Sequence, residues 1–151
     1  MPVAFLDSSA LVKRYDRSES GSDRVRALCR RRTGQTILIS RMTRVEVASA
    51  FARKLREGRL SPRARDGAWR LFHGHYRAQY RTLDLDEAVW LLAENLLSRH
   101  PLRAYDAVQL ASALRADRLL AGISPDFTFC TGDRTQGRAA RSEGLRVEIV
   151  G

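Results

Sequence analysis

The sequence predicts an α/β domain of three layers, with helices on both faces of a central, mainly parallel sheet of about five strands. Two patterns carry that expectation. Largely apolar runs of strand length occupy residues 3–6, 36–39, 127–130 and 147–150, with a weaker one at 82–85. Between them lie stretches of helical period at 9–15, 22–31, 42–56, 62–80, 88–98, 105–119 and 134–143. Strands that are apolar throughout, rather than alternating, belong to sheets covered on both sides, and their alternation with helices favours parallel pairing.

Each boundary has a local cause. The first run, Val3-Ala4-Phe5-Leu6, stops at Asp7, and a helical pattern begins two residues later. The cluster Arg30-Arg31-Arg32 sits where cations favour a helix C-terminus. The second run ends at Ser40. Gly58 falls where the next helix should stop, and Ser61-Pro62 reads as an N-cap followed by proline at the first helical position. Asp84 and Glu87 have capping-box spacing for the helix over 88–98. Tyr105 to Leu114, YDAVQLASAL, is small and apolar almost all round, the mark of a buried helix. Gly144 ends the last helix before the final apolar run. No repeat, low-complexity linker or composition break divides the chain, so residues 1–151 are expected to form one domain.

With 151 residues, 44% of them hydrophobic, the chain can bury a substantial core. Its 27 Lys and Arg against 17 Asp and Glu give a formal net charge of +10, and only Lys13 and Lys54 are lysines. Guanidinium forks match phosphate geometry, so a polyanionic partner is the natural expectation, although solvated surface arginines would give the same count. Cys29 and Cys130 form no metal or disulfide pattern. No apolar run reaches the ~18 residues of a membrane helix, and the N-terminus lacks a signal-peptide pattern. These features predict a cytoplasmic protein with no membrane association.

Against that basic background, four acids occupy unusual places. Asp7 follows the first strand and Asp133 closely follows the fourth, which puts both beyond the carboxyl ends of parallel strands, where ligands gather. Asp106 opens the apolar helix, and a buried carboxylate needs a partner, a proton or a metal. Glu46 has Met42, Thr43, Ser49 and Ala50 as its helical neighbours, none of them basic. Plainer readings exist for each: an N-cap for Asp7 or Asp133, a dipole-favoured acid paired with Arg103 for Asp106, and a solvated side chain for Glu46.

Convergence of the four would decide between these readings. Two carboxylates ~4 Å apart repel by about 4 kcal/mol at an effective dielectric of ~20. A site made only of such oxygens suits a hard cation, Mg2+ or Mn2+. Zinc is disfavoured, because His73, His75 and His100 are the only histidines and His73-Gly74-His75 lacks the i, i+4 spacing of two ligands on one helix face. Setting aside the four acids, the 17 less four leaves 13 negative groups against 27 positive. An acidic hollow in a basic shell, with an ion in it, is arranged for phosphodiester hydrolysis.

The same residues resemble a known family. FLDSSALVKRY with Glu19-Ser20-Gly21-Ser22, SRMTRVEVASAFARK around Glu46, LRAYDAVQLASAL around Asp106 and FCTGDRTQGRAARSEGL around Asp133 are similar, in order and end to end, to the motifs of PIN-domain ribonucleases, specifically the VapC-type toxins of type II toxin–antitoxin pairs. The resemblance implies a Mg2+- or Mn2+-dependent endoribonuclease whose catalytic and metal-holding residues are Asp7, Glu46, Asp106 and Asp133. It also implies an RNA substrate, a homodimer and a cognate antitoxin that covers the site. Ser8, Ser9 and Thr131 are expected to support the carboxylates by spacing. Gln109 stands where many relatives carry His and is expected to help orient Asp106. Gly132 replaces a commoner Ala, and Gln136-Gly137 a common Leu-Ala step, so Gly137 should loosen its helix by ~1 kcal/mol.

Arg53, Lys54, Arg56 and Arg59 form a strip expected to meet RNA phosphates or an antitoxin's acids, with a solvated helix face as the alternative. Trp69, Phe72, Tyr76 and Tyr80 recur on one helical face, as a core or interface stripe does. The competing function is a non-catalytic RNA-binding module on the same fold, for which the four acids would serve no purpose. A phosphatase using Asp7 as nucleophile would want an acid two residues on, where Ser9 stands.

Overall fold

The computed structural model describes residues 2–151. In chain order the elements are β1 (Val3–Leu6), α1 (Ser8–Leu11) running into a 3-10 turn (Val12–Tyr15), α2 (Ser22–Leu28), a second 3-10 turn (Arg31–Thr33), β2 (Thr36–Ser40), α3 (Thr43–Arg56), α4 (Pro62–Ala78), β3 (Arg81–Leu83), α5 (Glu87–Arg99), α6 (Ala104–Leu120), β4 (Phe127–Thr131), α7 (Arg134–Ser142) and β5 (Val147–Ile149). The five strands form one sheet in the order β3-β2-β1-β4-β5, and every pairing is parallel.

Side chains leave each strand alternately to two cores. Val3 and Phe5 of β1, Leu38 of β2 and Phe127 and Phe129 of β4 pack under α5, α6 and α7. Ala4 and Leu6, Ile37 and Ile39, and Cys130 point the other way, under α1 to α4. Both faces are therefore covered, which is why these strands are mostly apolar on both sides. Phe5 and Phe129 stack across the β1–β4 pair with ring centroids 5.8 Å apart. Of the predicted aromatic stripe, Trp69, Phe72 and Tyr76 lie on α4 and Tyr80 just past its end; all four join the second core, where Phe72 and Tyr80 are buried. Helix α6 is buried on nearly every side, as its composition predicts.

The caps match expectation at three places and depart at one. Ser61 accepts from the Ala64 amide ahead of Pro62, and Gly58 and Gly144 take positive φ after α3 and α7. The N-cap of α5 is Asp86, which accepts from the Val89 amide, and not Asp84. Leu85 turns inward onto the core before the helix begins, and Asp84 is left to pair with Arg41 at 2.9 Å. Gly137 also departs from expectation. A Cβ there would collide with the side chain of Ile149 on β5, so the glycine allows α7 to lie close on the sheet.

Lys54 corrects the predicted basic strip. Its side chain is 2% exposed and its ammonium is held by Asp16 at 2.6 Å and by Glu19. Glu19 also meets Lys13 at 3.3 Å, and Lys13 donates to the Ser20 carbonyl at 2.8 Å. This network ties the segment between the first turn and α2 onto α3, so Lys54 is a structural cation and not a surface contact. Breaking a buried pair strands the remaining charge. Lys54→Met should therefore lose about 3 kcal/mol of stability in urea unfolding, with most of it regained when Asp16→Asn and Glu19→Gln are added. A loss of less than about 1 kcal/mol, the range of a surface pair, would contradict this role.

Candidate active site

The strand order reverses at β1: β2 and β3 extend the sheet to one side, β4 and β5 to the other. The crevice beyond the carboxyl ends of β1 and β4 is thus the switch point where open α/β sheets bind ligands. Asp7 leaves the end of β1, Asp133 lies just past β4, Asp106 sits in the first turn of α6 and Glu46 in the first turn of α3. Glu46, Asp106 and Asp133 line one hollow of about 540 Å3, together with Ser8 and Ser9. Asp7 lies directly under it, only 3% exposed and bonded to the lining through Ser9.

Each acid is fixed by neutral donors. Asp7 Oδ1 accepts from Ser9 Oγ at 2.6 Å and the Ala10 amide at 3.0 Å, and Oδ2 accepts from Thr131 Oγ1 at 2.5 Å. Thr131 Oγ1 in turn accepts from the Asp133 amide at 3.1 Å, so one hydroxyl joins the two strand-end acids. Glu46 accepts from Ser8 Oγ at 2.9 Å and from Gln109 Nε2 at 2.6 Å. Asp133 caps α7 through the Thr135 and Gln136 amides. The capping roles of Asp7 and Asp133 are real, and they coexist with membership of the cluster.

Gln109 departs from expectation. Its amide donates to Glu46 and to Thr43 Oγ1 (2.9 Å), so it orients Glu46 rather than Asp106. Asp106 is instead steadied from α7, where Gln136 Nε2 donates to its carbonyl at 2.7 Å. Gln136 was not foreseen as part of the site, because a buried amide at a helix start has no distinct sequence signal. The Gln109 and Gln136 acyl oxygens are both buried without a partner, which shows that the amides are held for their donors. Gly132 lets the strand end pass close to α1: a Cβ there would sit 2.8 Å from Lys13 Cε and 3.2 Å from the Ser9 carbonyl.

Electrostatics link the four acids through Asp106. Burial raises the Asp7 carboxyl from its ordinary 3.8 to about 6, against the three hydrogen bonds it accepts and with a further push from Asp106. Burial also raises Glu46, where Gln109 and Ser8 oppose and Asp106 adds. Asp106 is raised by burial and then by Asp133, while Arg103 pulls the other way. Among the described residues none of the four forms an ion pair, although the chain carries 25 arginines.

Among the described residues no three His, Cys, Asp or Glu side chains already close into a ligand cage. The acids border an open hollow instead, and their all-oxygen donor set fits a magnesium-like ion that keeps several of its waters. Of the basic strip, Arg53 and Arg59 line the same hollow, as do the ion-paired Lys54 and its partner Glu19, whereas Arg56 is exposed outside its lining. Arg103 and Tyr105 also line it, and Tyr105 is 63% exposed at its mouth. The signal for both was their place within one turn of Asp106.

The raised Asp7 carboxyl makes stability depend on pH. Below its unfolded value of 3.8 the group is protonated in both states and contributes nothing; above about 6 it is charged in both, and folding carries the cost of burying that charge. Stability should therefore fall between those values by about 3 kcal/mol at most. Asp7→Asn should melt at a higher temperature than wild type at pH 8 and at about the same temperature at pH 4. Equal melting at both pH values would contradict the burial argument.

Comparison with known proteins agrees with this geometry. A family model described as "PIN domain" matches residues 4–140. Two proteins of Mycobacterium tuberculosis, Ribonuclease VapC45 and Ribonuclease VapC49, are each 32% identical over 150 residues, covering 97% of this chain and 95% of the relative. The solved structure of VapBC2 from Rickettsia felis, bound to a DNA fragment from its promoter, superposes with a TM-score of 0.63 at 13% identity, covering 99% of both chains. By the extent of the match and the identity of these relatives, the chain belongs to the PIN-domain family.

Proposed function

We propose that this protein is a divalent-metal-dependent endoribonuclease and the toxin of a type II toxin–antitoxin pair, working in the cytoplasm. One observation carries the reading: four carboxylates share a crevice, repel one another through Asp106, and among the described residues form no ion pair with the cations around them. The Ribonuclease names of the Mycobacterium tuberculosis relatives support RNA as the substrate, and the VapBC2 assembly supports an antitoxin partner. An exposed apolar rim beside the acids, Val45 and Tyr105, offers such a partner a foothold that would also block the site.

In this reading Asp7, Glu46, Asp106 and Asp133 would hold Mg2+ or Mn2+, directly or through water. The ion would supply Lewis acidity, offsetting the mutual repulsion and drawing electron density from a scissile phosphate. The protein's own groups do the positioning. Ser9 and Thr131 fix both oxygens of Asp7, and Gln109 and Ser8 fix both oxygens of Glu46. The carboxylates are thus aimed without a competing positive charge. Arg53, Arg59 and Arg103 stand at the wall to meet the RNA backbone. A homodimer, as the family resemblance implies, is part of the proposal.

The test is RNA cleavage by the purified chain with Mg2+, with Mn2+ and with EDTA. The proposal expects cleavage with either ion and none in EDTA, and Asp106→Asn should abolish it while the protein stays folded. Cleavage by Asp106→Asn at the wild-type rate, or RNA binding with no metal-dependent cleavage, would overturn it; the second result would favour the non-catalytic module. Gln109→Leu leaves Glu46 without its amide donor and should weaken Mg2+ binding by about 10- to 100-fold in calorimetric titration. Unaltered affinity would remove Gln109 from the site.

A further inference from the structure

On the far side of the 3-10 turn after α1 lies a second hollow, of about 380 Å3, that shares no lining residue with the acidic one. Val12 and Lys13 face the acids; the next two residues, Arg14 and Tyr15, face this second hollow. Arg17, Arg26 and Arg30 complete four arginines around it, His75 closes it from α4, and no carboxylate lines it. Arg17 and Arg30 are exposed and form no ion pair among the described residues, and Arg26 reaches only the fully exposed Asp23 at 3.8 Å.

The floor is built rather than incidental. The partly buried Arg14 guanidinium donates to Gln79 Oε1 at 2.9 Å and to Tyr80 Oη at 2.7 Å, and its second nitrogen lies 3.3 Å from His75 Nε2. Arg14 can only donate, so Nε2 of His75 accepts, and its Nδ1–H points to Tyr15 Oη at 2.8 Å. Every partner of Arg14 is neutral. A guanidinium taken partly out of water with no anion beside it is costly, and three more cations at the rim raise that cost. His75 registers the field: burial first, then Arg14 and Arg31, push its imidazole down from 6.5 to about 4.

We propose that this arginine-lined hollow is a second anion site, holding a phosphodiester of the RNA substrate outside the cleavage cleft. The identity of the anion rests on the ribonuclease reading above; the existence of an anion site does not. The shared wall explains why a polymer is the occupant. RNA lying in the acidic cleft needs only to cross one turn of chain to reach Arg14, so the second contact is made at high effective concentration. The rigid fork of Arg14 supplies geometry, and the exposed Arg17 and Arg30 supply charge.

Two measurements on the intact chain test this. In the first, binding of a labelled single-stranded RNA, long enough to span both hollows, is followed in EDTA from ~50 to ~200 mM salt. Arg17→Glu with Arg30→Glu, both at exposed positions, should flatten the slope of log K against log salt by ~1.4, two single-strand phosphate contacts at ~0.7 each. In the second, inorganic phosphate is titrated while the His75 ring is observed by NMR. Bound phosphate should raise the pH at which His75 titrates in the wild type and not in the double variant. Both results together support the proposal. A His75 response with an unchanged salt slope would overturn RNA as the occupant and leave a free-anion site. No response of His75 to phosphate would overturn the site itself. Protein that bound no RNA in EDTA, and none as the Asp106→Asn variant with Mg2+ present, would overturn the substrate reading, and the phosphate titration separates that failure from failure of the hollow.

Discussion

The structure depends on keeping negative charges together without neutralising them. In a chain with a large excess of arginine, the easiest fate for any carboxylate is an ion pair, and several acids meet it: Arg24 with Glu148, Arg41 with Asp84, Arg99 with Glu143. Asp7, Glu46, Asp106 and Asp133 do not. Their hydrogen bonds come from hydroxyls, amides and backbone N–H groups, which fix direction but leave the charge intact. Such an arrangement lowers the stability of the folded state. In the proposed reading a doubly charged ion would relieve the repulsion, and the same ion would serve phosphodiester chemistry.

The fold supplies the convergence. Parallel strands β1 and β4 end side by side, and the reversal of strand order opens the crevice between them. Helices α3 and α6 come to that crevice with their first turns, where backbone N–H groups favour acids. Thr131 ties the two strand ends together through Asp7 and the Asp133 amide, Gln109 ties α6 to α3, and Gln136 ties α7 to α6. Gly132 lets the end of β4 lie close to Ser9 of α1 beside these ties. Lys54, with Asp16 and Glu19, secures the loop that follows the first turn. The same chain therefore treats carboxylates in two ways: matched to a lysine at Asp16 and Glu19, and left without an ion pair at the four acids proposed to hold an ion.

Much of this was legible in the residues, for reasons that can be stated. Doubly buried parallel strands leave largely apolar runs, and an all-round apolar helix announces its burial, so β1, β2, β4 and α6 and the acids at their ends could be read directly. Lys54 could not. A lysine in an arginine-rich strip looks solvated, and only the long-range return of residues 16–19 onto α3 shows otherwise. Gln109 was placed in the right neighbourhood with the wrong partner, because helical spacing favours Asp106 one turn away while the fold brings in Glu46 from 63 residues off. Asp84 reads as the cap of α5 because capping-box spacing is a local signal, whereas the helix is capped by Asp86, after Leu85 has packed onto the core. Gly137 read as a weak helix residue, since its value lies in contact with a strand that comes later in the chain.

The claim that these four acids await a divalent ion is tested most directly by anomalous X-ray scattering from crystals of the protein grown with Mn2+. The account predicts a manganese peak in the crevice beyond β1 and β4, beside the Asp106 carboxylate and at least two of Asp7, Glu46 and Asp133, directly or through one water. Manganese absent from that crevice at saturating concentration, or bound only at a different group of acids, would contradict it.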